Sequence, residues 1–506
     1  MRSRPSTASV GAVLVALVLL VGACSGIDTG RVRTSDSATT STTSTPGVGT
    51  TGSTGGGGPG STTVAPTGSA PSTAVRDVAD PTFPGLGDPR IDVGRYDVAL
   101  VATPGRPAIE GTVRMRATVR TTEPLASFTL DLKALRVRSV VVDGKAAAVR
   151  ADGDEIVITP SRPLRPGATF TTTTTYGGIP EPGTLAAVPG VAIGWQDDGH
   201  GGTFTLSEPD GTRTWMPVSD HPADKAVFHL TVDVPDGYQV VGNGRLAGVR
   251  PSRRAGRQVW DWVDPAPMAS YLALVAIGHY DLVRRRGAGG VPVVEAYPTG
   301  TRLAEEPLYR DLDRILAFYS SQFGPYPFAG AGVIAVPERL DVALETQSRP
   351  LFGLGDGGSL AHELAHQWFG DDVSPRSWAD TWLNEGFATF GSWLWTDHEG
   401  RSSLATQARA AYGRLGPSTP PVRGNAGPRA FDQQVYDRGA LTLYAVRQAM
   451  GAEPFDRFLR AWVRERGGTS ASTADLVALA GRIAGRDLAP LFTAWLDTPT
   501  VPPFPK

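Results

Sequence analysis

His362-Glu363-Leu364-Ala365-His366 is an H-E-x-x-H pattern, and those residue types at that spacing can do hydrolytic metal chemistry. On a helix, positions i and i+4 share a face, so both imidazoles can reach one metal ion. Glu363 stands beside His362 and can act as a general base without being a ligand. The chain has only seven histidines, which makes two chance helix histidines at this spacing a poor account of the pattern. A catalytic zinc takes three protein ligands and leaves a fourth position open. With eighteen residues intervening after His366, Glu385 in Trp382-Leu383-Asn384-Glu385-Gly386-Phe387-Ala388 offers a carboxylate. Its apolar neighbours Trp382, Leu383 and Phe387 would bury that charge, and a buried carboxylate needs a cation. His362, His366 and Glu385 are therefore expected to hold one zinc ion per chain.

Those residues have to be carried by helices that face each other, and the pattern after residue 300 is helical. Leu308, Leu312, Ile315, Leu316 and Tyr319 form a stripe that Gly324 and Pro325 end. A short strand is expected over 332–336. Helical patterns then follow at about 359–369, 379–397, 402–414, 434–450, 453–466, 471–484 and 487–496. From about 90 to 288 the period is two instead, as in Val113-Arg114-Met115-Arg116-Ala117-Thr118-Val119 and Phe228-His229-Leu230-Thr231-Val232. Turn pairs such as Asp143-Gly144, Asp236-Gly237 and Asn243-Gly244 punctuate it. The fold class is thus a β-rich N-terminal domain at 86–288, an antiparallel sandwich or saddle, followed by a mostly helical α+β catalytic domain at 289–506.

Bulk properties exclude several alternatives. The 506 residues, 41% hydrophobic and 19% charged, describe an ordinary multidomain globular protein. A net charge of −2 leaves no basic footprint for nucleic acid. The lone cysteine, Cys24, rules out an intrachain disulfide and any thiolate-rich zinc site. Arg2 and Arg4 precede an apolar run from Val10 to Gly22, too short to span a bilayer. The run ends in Val21-Gly22-Ala23-Cys24, which resembles a bacterial lipobox. That resemblance implies a signal peptide over 1–23, lipidation of Cys24, and a protein held on the outer face of the cytoplasmic membrane; a plain secretory signal is the alternative. Residues 24–85, with runs such as Ser41-Thr42-Thr43-Ser44-Thr45 and Gly55-Gly56-Gly57-Gly58, have little to bury and are expected to form a tether.

The metal motif also carries a family likeness. His362-Glu363-x-x-His366, then Glu385 after eighteen intervening residues within Asn384-Glu385-Gly386, resembles the gluzincin signature of the membrane alanyl aminopeptidase (aminopeptidase N) family. Glu208-Pro209 with Arg213 and Trp215-Met216-Pro217-Val218-Ser219-Asp220, Val241-Gly242-Asn243-Gly244, and Phe323-Gly324-Pro325-Tyr326-Pro327-Phe328 are similar to further landmarks of that family. The likeness runs from about residue 90 to 450 and implies a thermolysin-like catalytic domain acting on peptides. Tyr436-Asp437-Arg438-Gly439 is similar to the family's Tyr-x-Lys-Gly, with Arg in place of Lys; the likeness makes Tyr436 the hydrogen-bond donor to the tetrahedral oxyanion. Val342-Ala343-Leu344-Glu345-Thr346 aligns with Gly-x-Met-Glu-Asn, of which only the alanine and the glutamate remain. The likeness implies that Glu345, with Glu208 as a second anchor, binds the free α-ammonium of a substrate.

Asp380 has two readings, a partner that orients a ligand histidine or an exposed carboxylate capping its own helix. Seventy residues follow Tyr436, whereas larger relatives carry a long α-superhelical domain, so a more open cleft is expected. Three functions fit: an aminopeptidase, a zinc endopeptidase or other hydrolase with relaxed amine recognition, and a surface module that binds peptides without cutting them. Glu363 and Tyr436 together favour catalysis over mere binding.

Overall fold

Alternation of apolar and polar residues builds an eight-stranded sheet from the N-terminal half. Its order is 245–251, 257–268, 226–235, 91–101, 109–119, 169–178, 136–142 and 145–146. Val113, Met115, Ala117 and Val119 point into the core while Arg114 and Arg116 stay exposed, the period-two outcome expected. Ala226, Phe228, Leu230, Val232 and Val234 do the same on their strand. One pairing departs from the antiparallel expectation: Ile91–Val101 runs parallel to Ala226–Pro235, with Tyr96 beside Phe228. Periodicity reports which face is buried, not strand direction, so it could not reveal this. A second sheet of five strands carries Thr203–Leu206, which leads directly into Glu208.

The computed structural model describes residues 80–185, 191–303, 310–337, 340, 342–354, 360–423 and 427–505, all within one compact unit. The signal sequence, Cys24, most of the tether and Leu308 lie outside these residues. Among the described residues, no helix is long and apolar enough to cross a membrane. The tether ends earlier than expected. Asp80 is buried, its carboxylate accepts from the backbone N–H of Thr82 and Phe83, and it takes a third bond of 2.6 Å from Trp378 N. A short acidic turn has little hydrophobicity to announce it, yet it seats the start of the fold on the turn before the Glu385 helix.

The helical half opens with a hairpin rather than at a clean break. Tyr280–Arg286 pairs with Pro292–Pro298, so the sheet continues across the boundary expected at 288. Ile334–Ala335 and Leu351–Phe352 extend it in parallel; the strand expected over 332–336 is confined to those first two residues. Among the described residues, eight α-helices of eight to eighteen residues, apart from the seven-residue second, follow in order: α1 (Leu312–Phe323), α2 (Leu360–His366), α3 (Trp382–His398), α4 (Leu404–Arg414), α5 (Gln433–Met450), α6 (Ala452–Arg466), α7 (Thr473–Ala484) and α8 (Ala489–Leu496). On α1 the stripe Leu312, Ile315, Leu316, Tyr319 and Phe323 is buried, as the spacing requires. Trp368, Phe369, Trp382, Phe387 and Leu441 join it in one apolar core that holds α2, α3 and α5 together.

Candidate active site

The candidate metal ligands come from the facing ends of two short-range motifs. α2 places His362 and His366 one turn apart, their ring centroids 4.7 Å from each other. The first turn of α3 brings Glu385 to them, with Oε2 at 3.1 Å from His362 Nε2 and 3.6 Å from His366 Nε2. The three donor atoms lie within 4.8 Å of one another. His366 Nδ1 donates to the carbonyl of Phe369 at 3.1 Å, which leaves Nε2 free to ligate. Two imidazoles and one carboxylate at this spacing fit a catalytic zinc, and the local charge calls for a cation. Burial favours the neutral imidazole of His366, but Glu345, Glu385 and Glu363 override it and lift its pKa to about 10. Burial likewise opposes ionisation of Glu385, yet hydrogen bonds from His362 and His366 hold it down at about 2.

The remaining expected residues converge on the same place. Glu363 is buried, and its carboxylate, that of Glu345 and a nitrogen of His366 lie within 4.8 Å of one another. Glu345 is 3% exposed, and its Oε1 has no hydrogen-bond partner among the described residues; the same holds for Oε1 of Glu208. Burial raises the pKa of both carboxyls, and Glu345 and Glu385 push that of Glu208 further up. Tyr436, on the first turn of α5, stacks beside His362 with centroids 5.9 Å apart. Burial and then the charges of Glu385, Glu208, Glu345 and Glu363 keep its hydroxyl protonated, as a donor must be. Arg438 points away, donating to Thr419 Oγ1 at 2.9 Å and to the carbonyl of Thr498 at 2.6 Å, so the exchange of Lys for Arg affects packing of the C-terminal segment rather than the phenol.

Asp380 meets neither of its two readings. Its carboxylate accepts from Thr473 N at 3.1 Å and Thr473 Oγ1 at 2.6 Å, which ties the entry to α3 to the start of α7. Other contributors had little signal in the sequence. Tyr271, from the β-rich half, accepts from Asn384 Nδ2 at 3.1 Å, next to Glu385. The Lys225 ammonium donates to the carbonyls of Asp371 and Asp372 just after α2, at 2.6 and 2.8 Å. Gln367 follows the motif directly, and its buried amide reaches the Glu345 loop. Motif spacing could have flagged Gln367; Tyr271 and Lys225 are brought in only by the fold.

A β-rich half packed on a helical half, with a largely buried His-His-Glu centre beside a second glutamate and a tyrosine, defines a zinc metallopeptidase of the gluzincin type. Two family models match: the Peptidase family M1 domain over residues 358–495 and the Peptidase M1 N-terminal domain over 94–272. A solved M1 zinc metallopeptidase from Deinococcus radiodurans, with a Tyr-Ser-Ala substrate bound, is 32% identical, with a TM-score of 0.78 covering 84% of this chain and 99% of that one. The chain belongs to peptidase family M1. Similar curated proteins include a leucyl aminopeptidase of Saccharolobus solfataricus, 29% identical over 59% of this chain, and tricorn protease-interacting factor F2 of Thermoplasma volcanium, 27% identical over 58%. The matched part spans 41% and 40% of those two relatives' lengths.

Proposed function

We propose that the protein is an aminopeptidase that removes N-terminal residues from peptides outside the cytoplasmic membrane. The observation that carries this is the pair of buried carboxylate oxygens with no hydrogen-bond partner among the described residues, one on Glu345 next to Glu363 and His366 and one on Glu208, which feels the charges of Glu345, Glu385 and Glu363. A substrate's α-amino group has a pKa near 7.7–8.0 and is largely an ammonium at neutral pH. Two carboxylates in a desolvated pocket give that ammonium both charge and direction. The anchored terminus then limits which peptide bond can reach the ligands.

The chemistry divides among named groups. His362, His366 and Glu385 would hold a zinc ion, which when bound polarises the scissile carbonyl and makes water a better nucleophile. Glu363 takes the proton from the attacking water and delivers it to the leaving amine. The Tyr436 hydroxyl donates to the oxygen on which negative charge develops. Glu345 and Glu208 hold the ammonium throughout.

The test compares wild type and Glu345→Ala on a free peptide and its N-acetyl form. The single change and acetylation should each lower kcat/KM, by up to about 2–5 kcal/mol for a broken buried charge pair, and together add little more. Zinc content should not change. Equal cleavage of free and acetylated peptides by wild type would favour an endopeptidase instead.

Placement at the membrane rests on Val21-Gly22-Ala23-Cys24 and the basic and apolar stretches before it. A diacylglycerol on Cys24 supplies more than one acyl chain, enough for stable anchoring. Labelled fatty acid should enter the wild-type protein and not Cys24→Ala; label in neither discards the anchor.

A further inference from the structure

Glu345 is held by a loop whose tip would otherwise have little regular structure. Leu344 and Leu351 close its base through an antiparallel bridge, N–H to carbonyl in both directions. Within it, Thr346 Oγ1 donates to Arg349 O at 2.6 Å and Arg349 N to Thr346 O at 2.9 Å. Ser348 takes a φ of 68°, a left-handed conformation that a non-glycine residue adopts only when its surroundings hold it there.

The hold comes from two sides. From the β-rich half, Asn243 Nδ2 donates to Gln347 O at 2.8 Å and Gly244 N to Ser348 Oγ at 2.6 Å. From the metal side comes Gln367, the residue after the ligand His366. Its Nε2 donates to Glu345 O at 3.0 Å, and its Oε1 accepts from Ser348 N at 2.6 Å and from the Tyr326 hydroxyl at 3.4 Å. Both ends of its side-chain amide are engaged: a flipped amide would set N–H against N–H and oxygen against oxygen. The Gln367 side chain is fully buried, so water does not compete for these bonds.

One amide thus joins the backbone of the amine-binding residue to the end of the metal-binding helix. We propose that Gln367 is a positioning residue that sets the spacing between Glu345 and the metal ligands, and thereby makes cleavage selective for the first peptide bond. This rests on the aminopeptidase reading of Glu345. A displacement of about 1 Å at a reacting centre can cost roughly 100-fold in rate, so a single clamp of this kind has the leverage required.

Two variants separate its parts. Gln367→Met has similar length and makes none of these three bonds. Gln367→Glu keeps an acceptor for Ser348 N but loses the donor to Glu345 O. Each is assayed with one aminoacyl fluorogenic substrate and its N-acetyl form, with zinc content measured on the same samples. Wild type should prefer the free amine. Gln367→Met should cut that preference about 10- to 100-fold, mainly through KM for the free substrate, with zinc retained. In a Glu345→Ala background the same change should not alter the preference further. A general packing defect would instead slow both substrates alike. If Gln367→Met fails to fold, Gln367→Glu supplies the same ratio. An unchanged ratio in a zinc-loaded variant overturns the proposal. A wild type with no preference overturns it too, and shows that the reading of Glu345 was the error.

Discussion

Gly386 and Gly439 meet backbone to backbone where α3 crosses α5. A β-carbon on Gly386 would lie 2.8 Å from the carbonyl carbon of Gly439, and one on Gly439 would lie 2.9 Å from the Cα of Gly386. Glu385 immediately precedes the first glycine and Tyr436 stands one helical turn before the second. The approach of the two helices therefore sets how close the phenol comes to the metal ligands. In Gly439→Ala neither neighbour is a flexible side chain, so the helices must separate. Overpacking of this kind costs on the order of 1–3 kcal/mol. The expected result is a lower thermal midpoint together with a reduced kcat. A variant with wild-type kcat would mean the crossing does not govern the Tyr436 position.

Ligands and base should respond differently to substitution. His362→Ala and Glu385→Ala each remove a donor and should lose zinc, as elemental analysis of the purified protein would register. Glu363→Gln keeps every ligand and should keep zinc while losing on the order of 10²–10⁴-fold in kcat. Chelation should abolish wild-type activity, and added zinc should restore it. A zinc-loaded Glu363→Gln as fast as wild type is incompatible with Glu363 as the base.

Tyr436→Phe removes one hydroxyl and preserves the ring beside His362. If that hydroxyl serves the oxyanion, kcat should fall roughly 10²–10³-fold with little change in KM, since the bond strengthens only as charge develops. Zinc content should be untouched. A loss confined to KM would assign Tyr436 to ground-state binding.

Asp131 gives a pH signature away from the catalytic groups. Its Oδ2 accepts from Gly87 N at 2.9 Å and Asp220 N at 2.8 Å, yet burial, the larger influence, raises its pKa to about 7. The folded state thus holds this proton more tightly than an unfolded chain with an ordinary aspartate near 3.8. The associated stability is fully present below about pH 4 and is lost as pH rises to about 7. Asp131→Asn retains an oxygen for both N–H donors and cannot ionise. Thermal midpoints of the two proteins should diverge in the variant's favour between pH 4 and 7, then run parallel above. A constant difference across that range would exclude the titration.

Local signals were legible and distant ones were not. The helix carrying His362 and His366, and the helix beginning near Glu385, follow from spacing and apolar flanks that lie within a few turns of each other. The proposed amine anchors Glu345 and Glu208 needed a family likeness, because a loop carboxylate has no period. Asp380 was misread because its partner, Thr473, is 93 residues away. The parallel pairing of 91–101 with 226–235 is hidden for a related reason: alternation is blind to direction. Asp80 shows the same limit at the start of the fold, where one carboxylate bonded to Trp378 orders a turn that composition assigns to the tether.

The hairpin that crosses residue 288 has a consequence for exchanging gene segments between relatives. A crossover at that point would give Tyr280–Arg286 and Pro292–Pro298 different parents, so seven facing residue pairs would be drawn from sequences that never met. Moving the junction upstream of Tyr280 rescues the hairpin but still parts Lys225 from the carbonyls of Asp371 and Asp372, and Asn243 from Gln347. Viable hybrids should therefore be those in which Asn243, Lys225 and the loops they hold are inherited together, whatever the origin of the surfaces around them.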